Sequence, residues 1–186
     1  MCKRLFAIIA VVLGLFVTGA LGQALSTDEQ AFLHKHLPDV VQVEPTRLND
    51  HAIVRTFATP IYRVTVLIKE GDGGTSTSSV VVARLGDELV SVSRPGGDGE
   101  YPNIQKMFRP DLKLTSEDVA ETLQHALDIV YPISGHDDKS AETFRHDGNQ
   151  WVFVRGKFFD SLMGFVLTTD ESGAITGVKY VLKLPL

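Results

Sequence analysis

The chain has 186 residues with 18 basic and 23 acidic side chains, a net charge of −5 and a single cysteine, Cys2. That acidic balance argues against nucleic acid and anionic lipid surfaces as partners, because both are held through clustered Lys and Arg. One thiol allows no internal disulfide and no thiolate metal site, which sets aside the disulfide-dense secreted scaffolds.

The first element in chain order reads as an export signal. Lys3 and Arg4 precede a nearly unbroken apolar run from Leu5 to Leu21, and Gly19, Ala20, Gly22 and Ala24 put small residues where signal peptidase cuts, after Gly22 or after Ala24. A spanning helix needs roughly 17 to 25 apolar residues, and Gly14 and Gly19 weaken this run as one, so a cleaved signal over residues 1–22 is expected rather than a retained anchor. Without it the chain has 164 residues, no cysteine, and 16 basic against 23 acidic groups, a net of −7, because Lys3 and Arg4 leave with the signal. A chain of that size buries roughly 70% of its unfolded surface, enough for one core without covalent staples. None of Asn49, Asn103 and Asn149 opens an Asn-x-Ser/Thr acceptor, so a bacterial periplasmic or secreted context is the simplest.

A short helix is predicted over Thr27–Leu37. Ser26 or Thr27 can cap it, Glu29 or Gln30 stands in capping-box position, and Pro38 ends it. The period then changes to two. Short strands are predicted at Asp39–Val43 and Ala52–Phe57, and a clearer one at Pro60–Lys69, where Tyr62, Val64, Val66 and Ile68 alternate with Arg63, Thr65, Leu67 and Lys69. Gly71 to Gly74 and the Thr/Ser run to Ser79 read as a flexible connection. Val80–Arg84 and Leu89–Arg94 follow as strands of a meander that turns at Gly86-Asp87. From Arg94 to Leu114, Pro95, Pro102, Pro110 and several glycines mark a crossing to the second half, with a helical turn near Ile104–Phe108.

The best helix is predicted over Ser116–Tyr131. Thr115 and Asp118 frame its start, Glu117, Asp118 and Glu121 suit the positive end of its dipole, and Pro132 closes it. Val119, Leu123, Leu127 and Val130 form one stripe that needs an apolar partner surface. Strands at Ala141–His146, Gln150–Arg155, Phe158–Thr169 and Ala174–Leu184 follow, with turn chemistry at Asp147-Gly148-Asn149 and Asp170-Glu171-Ser172-Gly173. These elements predict an α+β fold, antiparallel sheet with one or two packed helices, in a single domain over residues 23–186. Two α-β-β-β halves, 23–94 and 115–186, joined by the Pro/Gly-rich crossing, fit the same pattern, although no residue-level repeat relates them.

Chemistry-bearing residues are sparse. His34 and His36 lie about 200° apart around a helix and cannot chelate one ion. His136-Asp137-Asp138 and His146-Asp147 sit in turns without a third ligand at diagnostic spacing. Ser161 is not in a G-x-S-x-G elbow and reads as a bend between strands, and Gly71 to Gly74 lacks the Lys-Ser/Thr of a phosphate loop. Aromatics crowd the second half: Phe144, Trp151, Phe153, Phe158, Phe159, Phe165 and Tyr180. They are expected to build the core beneath the second helix, the alternative being an exposed row rimmed by Arg145, Arg155 and Lys157. No catalytic, binding, metal or cofactor residue is assigned. The expectation is an exported, non-enzymatic binding or interaction domain of the bacterial envelope or extracellular space, taking a protein, peptide or small envelope component. The alternative is a cone-shaped α+β pocket protein with hydrolase or isomerase activity. Nucleic acid is not an expected partner, and the membrane is one only if the signal is retained.

Overall fold

A computed structural model describes residues 25–37, 43–69, 75–92, 99–100, 102–131, 144–158 and 161–184. The expected export signal lies outside them, and no described helix is long and apolar enough to cross a membrane. Helix α1 (Thr27–His36) starts at Ser26, where a capping box forms: the Ser26 hydroxyl accepts from the Glu29 amide and the Glu29 carboxylate accepts from the Ser26 amide. Strand β1 (Val43–Arg47), helix α2 (His51–Thr56) and strands β2 (Ile61–Lys69), β3 (Thr75–Leu85) and β4 (Glu88–Ser91) follow. The four strands make an antiparallel sheet in the order β1-β2-β3-β4. Strand β5 (Gly99–Glu100), helices α3 (Pro102–Met107) and α4 (Glu117–Val130) and strands β6 (Phe144–Asp147), β7 (Gln150–Phe158), β8 (Ser161–Thr169) and β9 (Ile175–Val181) complete the chain. The second sheet is also antiparallel, in the order β5-β9-β8-β7-β6. This is an α+β fold, each half a helix followed by a four-strand meander, with α2 inserted in the first.

The pleat decides which side chains meet. On β2 and β3, Ile61, Val81 and Ala83 point to one face of the first sheet, and Tyr62, Val64 and Val82 to the other. The second face is covered by Phe32 and Leu33 of α1, a small cluster of its own. The first face joins a much larger core with Ala52, Ile53 and Phe57 of the α2 region, Ile104 and Met107 of α3, the buried side of α4, and Trp151, Phe153, Phe165, Leu167, Val178 and Tyr180 of the second sheet. Trp151 and Phe153 are therefore core, as expected. The Val119, Leu123, Leu127 and Val130 stripe does face inward, and Ala120, Gln124 and Ala126 widen it.

Several boundaries differ from the sequence expectation. Phe57 is an extended C-cap bridged to Phe108, and Ala52–Thr56 is helix, not strand. Asp50 caps it by accepting from the Ala52 amide at 2.8 Å, and Ala52, Ile53, Thr56 and Phe57 are buried at helical spacing, which outweighs the strand preference of Ile53, Val54 and Thr56. Thr75–Ser79 is strand, not flexible connection, because its backbone pairs with Lys69–Thr65 of β2. Phe158–Thr169 is not one strand: Phe158 pairs with Ser161, so β7 and β8 form a hairpin. The strand expected at Asp39–Val43 is described only from Val43, where β1 begins. Residues 71–74, 93–94, 136–138, 141–143 and 159, on which other expectations fell, lie outside the described residues.

Arg155, which only the alternative reading of an exposed aromatic row placed at a solvent rim, is buried in the core at 2% exposure. It shares the parity of Trp151 and Phe153, and β7 bulges between Val154 and Gly156 at this position. Its guanidinium donates to the Asp128 carboxylate and to the Tyr131 carbonyl, and the Gln124 amide donates to the same carboxylate at 3.0 Å. Helix α4 has no basic side chain in its last turn. Its terminal carbonyls are served from outside, Tyr131 by Arg155 of the second sheet and Ile129 by Arg63 of the first, at 3.3 Å. Arg63 is solvent-exposed, so its bond competes with water, whereas removal of Arg155 leaves a core void and takes a buried donor from the Tyr131 carbonyl, while Asp128, half exposed, keeps its bond from Gln124.

In urea unfolding, Arg155→Ala is expected to cost about 3 kcal/mol, chiefly through the core void, Arg155→Met clearly less because its stem still fills the core, and Arg63→Ala under about 1 kcal/mol. A wild-type midpoint for Arg155→Ala would show that the buried tie carries no stability. Gly164 offers a second check, since a Cβ there would run into the Phe153 carbonyl, whereas one at Gly177 meets only ordinary contacts near 3.8 Å. Gly164→Ala should lose about 3 kcal/mol while Gly177→Ala stays near wild type; equal midpoints would contradict the close approach of β7 and β8.

Candidate functional site

Three places bring polar side chains together. The first lies under α1, where Glu29 accepts from the Ser26 amide and hydroxyl at 3.0 Å each, from the Arg47 guanidinium at 2.9 Å and from the Tyr62 hydroxyl at 2.9 Å. Burial pushes the Glu29 carboxyl up, but the Ser26 amide, the Tyr62 and Ser26 hydroxyls and the Arg47 charge together hold it below the ordinary glutamate value. Burial, then the bond to Glu29 and its charge, push Tyr62 up to about 12. Arg84 stacks over Phe32 at 4.3 Å beside them. These bonds run from β1 and β2 to one carboxylate on α1, so the cluster fastens α1 to the sheet.

The second place is a cavity of about 530 Å³ at the end of the second sheet, lined by His146, Asn149, Thr169, Asp170 and Glu171. His146 lies flat on Trp151, with ring centroids 4.1 Å apart. Asp170 looks like a free acid there but is committed to its turn. It accepts from the Ser172 amide and hydroxyl at 2.8 Å each and from the Ala174 amide at 3.0 Å, and the Ser172 hydroxyl first, then the Ala174 amide, hold its carboxyl low.

The third place is a groove of about 680 Å³ between α2, the segment after α3 and the first half of α4. Val54 and Arg55 come from α2, Arg109, Asp111, Leu112 and Lys113 from the connecting segment, and Ser116, Asp118, Val119 and Thr122 from α4. Val54 is 52% exposed, the one large apolar side chain left open among the described residues. It points outward because α2 buries Ala52, Ile53 and Thr56. The opposite wall is held by the stacking of Phe57 on Phe108, 5.5 Å between centroids, and by the bond from the Arg109 amide to the Thr56 carbonyl. Arg109 grips Asp111 through two bonds of 2.9 and 3.2 Å, which raises the arginine and lowers the aspartate while both stay exposed. Ser116, the N-cap of α4, makes no side-chain bond to its helix, so its hydroxyl is open to the groove.

The residues weighed from sequence fall elsewhere. His34 is exposed, and His36 packs on Phe32 at 4.6 Å. No group of three or more His, Cys, Asp or Glu that could hold a metal occurs among the described residues. Val54, Arg55, Arg109 and Lys113 were not singled out. The signal that could have found the first two is the Asp50 cap with burial spacing at 52, 53, 56 and 57, which turns 54 and 55 outward. Compared with protein-family models, curated proteins and solved structures, the chain matches none.

Since the Glu29 carboxyl is lowered, the stability it contributes is complete above its ordinary value of 4.5 and is lost as pH falls through the lower folded value. Tyr62 is raised, so its contribution is complete below 10.0 and is lost as pH climbs toward about 12. The hydrogen-exchange protection factors of the α1 amides, taken relative to the slower intrinsic exchange in acid, should fall on the acid side in the wild type. In Glu29→Gln that acid limb should flatten, and stability at neutral pH should drop by about 1 to 3 kcal/mol. Constant α1 protection from neutrality to about pH 3 would rule out this fastening.

Proposed function

We propose that the chain is an exported, non-enzymatic binding domain whose docking surface is the groove around Val54. The observation that carries this is Val54 itself: more than half open, beside Leu112 and Val119, in an opening of about 680 Å³. An exposed apolar anchor inside a polar rim is the arrangement in which a partner's side chain gains most by leaving water. The titrating groups support binding over hydrolase or isomerase chemistry. A catalytic acid or base works best when shifted toward neutrality, whereas Glu29, Asp111 and Asp170 are lowered and Tyr62 and Arg109 raised, each away from it. Export rests on the Lys3-Arg4 start, the Leu5 to Leu21 run and the small residues after it.

The test is to pan a random peptide library on the exported protein and on Val54→Arg. Enriched peptides should bind the wild type at least about tenfold more tightly than the variant, since the arginine replaces the apolar contact with a charge. Peptides that hold both proteins equally would move the docking surface elsewhere.

A further inference from the structure

We infer that the protein has a second contact surface, apart from the groove around Val54: the open edge of β3, Thr75–Ser79, pairs across a two-fold axis with the same edge of a second copy. Strand β3 outruns its neighbour on that side. Strand β2 pairs with it from Thr75 to Ala83, whereas β4 pairs with it only from Val82 to Leu85. One further bond, from the Val92 amide to the Val81 carbonyl at 2.9 Å, ends that ladder, and among the described residues nothing pairs with the outer edge before it. Val81 therefore directs its backbone groups away from β2. Successive residues of an antiparallel ladder alternate in this, so Ser79, Thr77 and Thr75 hold their N–H and C=O groups on the open edge, and Ser78 and Ser76 bond to β2. The Arg84 amide, of the other parity, bonds to the Pro60 carbonyl just ahead of β2, in agreement with that assignment.

Every other described edge is guarded against such pairing. Strand β1 carries Glu44, Pro45 and Arg47 and a register break between Val43 and Thr46, and β2 beyond β1 ends on Lys69. Strand β4 has Glu88, β5 is two residues long and ends on Glu100, and β6 holds Arg145, His146 and Asp147. Charges, proline, bulges and shortness are what keep sheet edges apart. Thr75–Ser79 has none of the first three: its register with β2 is unbroken, and Thr77 and Ser79 are exposed. Residues 93–98, next in sequence after Val92, include Pro95, Gly96 and Gly97, residue types that weaken a ladder. The register that uses all the outward residues puts Thr77 opposite Thr77 of the second copy and Thr75 opposite Ser79, each pair exchanging two backbone bonds. No charge then faces a like charge, although the chain as a whole, at net −5, repels its copy. A foreign strand would find no charge here to select it, whereas the edge complements itself residue by residue.

Sedimentation equilibrium of the purified protein from about 1 μM to about 1 mM should show a reversible dimer. It should tighten as salt rises from about 0.1 M to about 1 M, because screening weakens the repulsion between two acidic chains. Thr77→Pro removes an N–H that β2 does not use, and Thr77→Lys sets like charges face to face. Each should weaken the dimer at least about tenfold while keeping a wild-type unfolding midpoint. Thr77→Glu should do the same alone, and an equimolar mixture of Thr77→Lys with Thr77→Glu should restore a dimer containing one of each, since Thr77 faces its own counterpart. A monomer at every concentration overturns the inference, and so does a mixture that fails to recover the dimer. A dimer that Thr77→Pro and Thr77→Lys leave intact also overturns it, and if Val54→Arg dissolves that dimer the contact belongs to the groove. A collapse of the midpoint in both variants overturns it as well, by showing the edge already filled by the chain itself.

Discussion

Helix α4 has to be covered on more than one side, and the rest of the structure follows from that. At 100° per residue its buried positions, Ala120, Leu123, Gln124, Ala126, Leu127 and Val130, span an arc of about 160°. One sheet covers a narrower stripe, so a second apolar surface is needed, and the inner faces of the two meanders supply both within a single cluster. The end of the helix shows the same constraint in polar form. With no cation in its own last turn, its carbonyls accept from Arg63 of one sheet and Arg155 of the other. A helix terminus that carries partial negative charge thereby joins two layers that share no strand pairing between their main meanders.

Helix α1 is bound differently. It rests on the far face of the first sheet through a small cluster around Phe32, Leu33, Tyr62, Val64 and Val82, separate from the main core. With little apolar area to hold it, direction comes from the Glu29 carboxylate, which caps α1 and accepts hydrogen bonds from Tyr62 and Arg47 on two strands at once. Segments with few buried contacts open at lower free energy than core elements, so α1 belongs to the less stable end of this molecule.

The groove is a by-product of how α2 is seated. A six-residue helix is too short to stand alone; the Asp50 cap, the contacts of Ala52, Ile53 and Thr56, and the Phe57–Phe108 stack fix it against α3 and α4. Once that face is buried, Val54 and Arg55 have only the solvent side left. The segment from Arg109 to Lys113 then closes the opposite wall. A packed frame under an exposed apolar residue would limit the conformational cost of the docking proposed above, which is where much binding free energy is otherwise lost.

The sequence by itself determined the local elements with strong, nearby signals. The capping box at Ser26 and Glu29, the helix beginning after Ser116, the alternation from Ile61 and the turns at Gly86 and Gly148 rest on contacts within a few residues, and the crowding of aromatics in the second half marked its core by composition. It also carried the overall class, α+β with antiparallel sheets, because short loops between alternating runs leave few other pairings. Tertiary structure decided what depends on distant partners. Ala52–Thr56 has residues that favour a strand, and only burial against α4 makes helix the lower-energy choice. Thr75–Ser79 has no apolar alternation, and only its ladder with β2 makes it a strand. Arg155 shares the pleat parity of Trp151 and Phe153, and its charge is accommodated inside because Asp128 and Tyr131, on a distant helix end, supply acceptors. The groove was hidden for the same reason: its lining comes from three segments whose approach no local periodicity encodes, since side-chain period reports which face is buried and not what lies across from it.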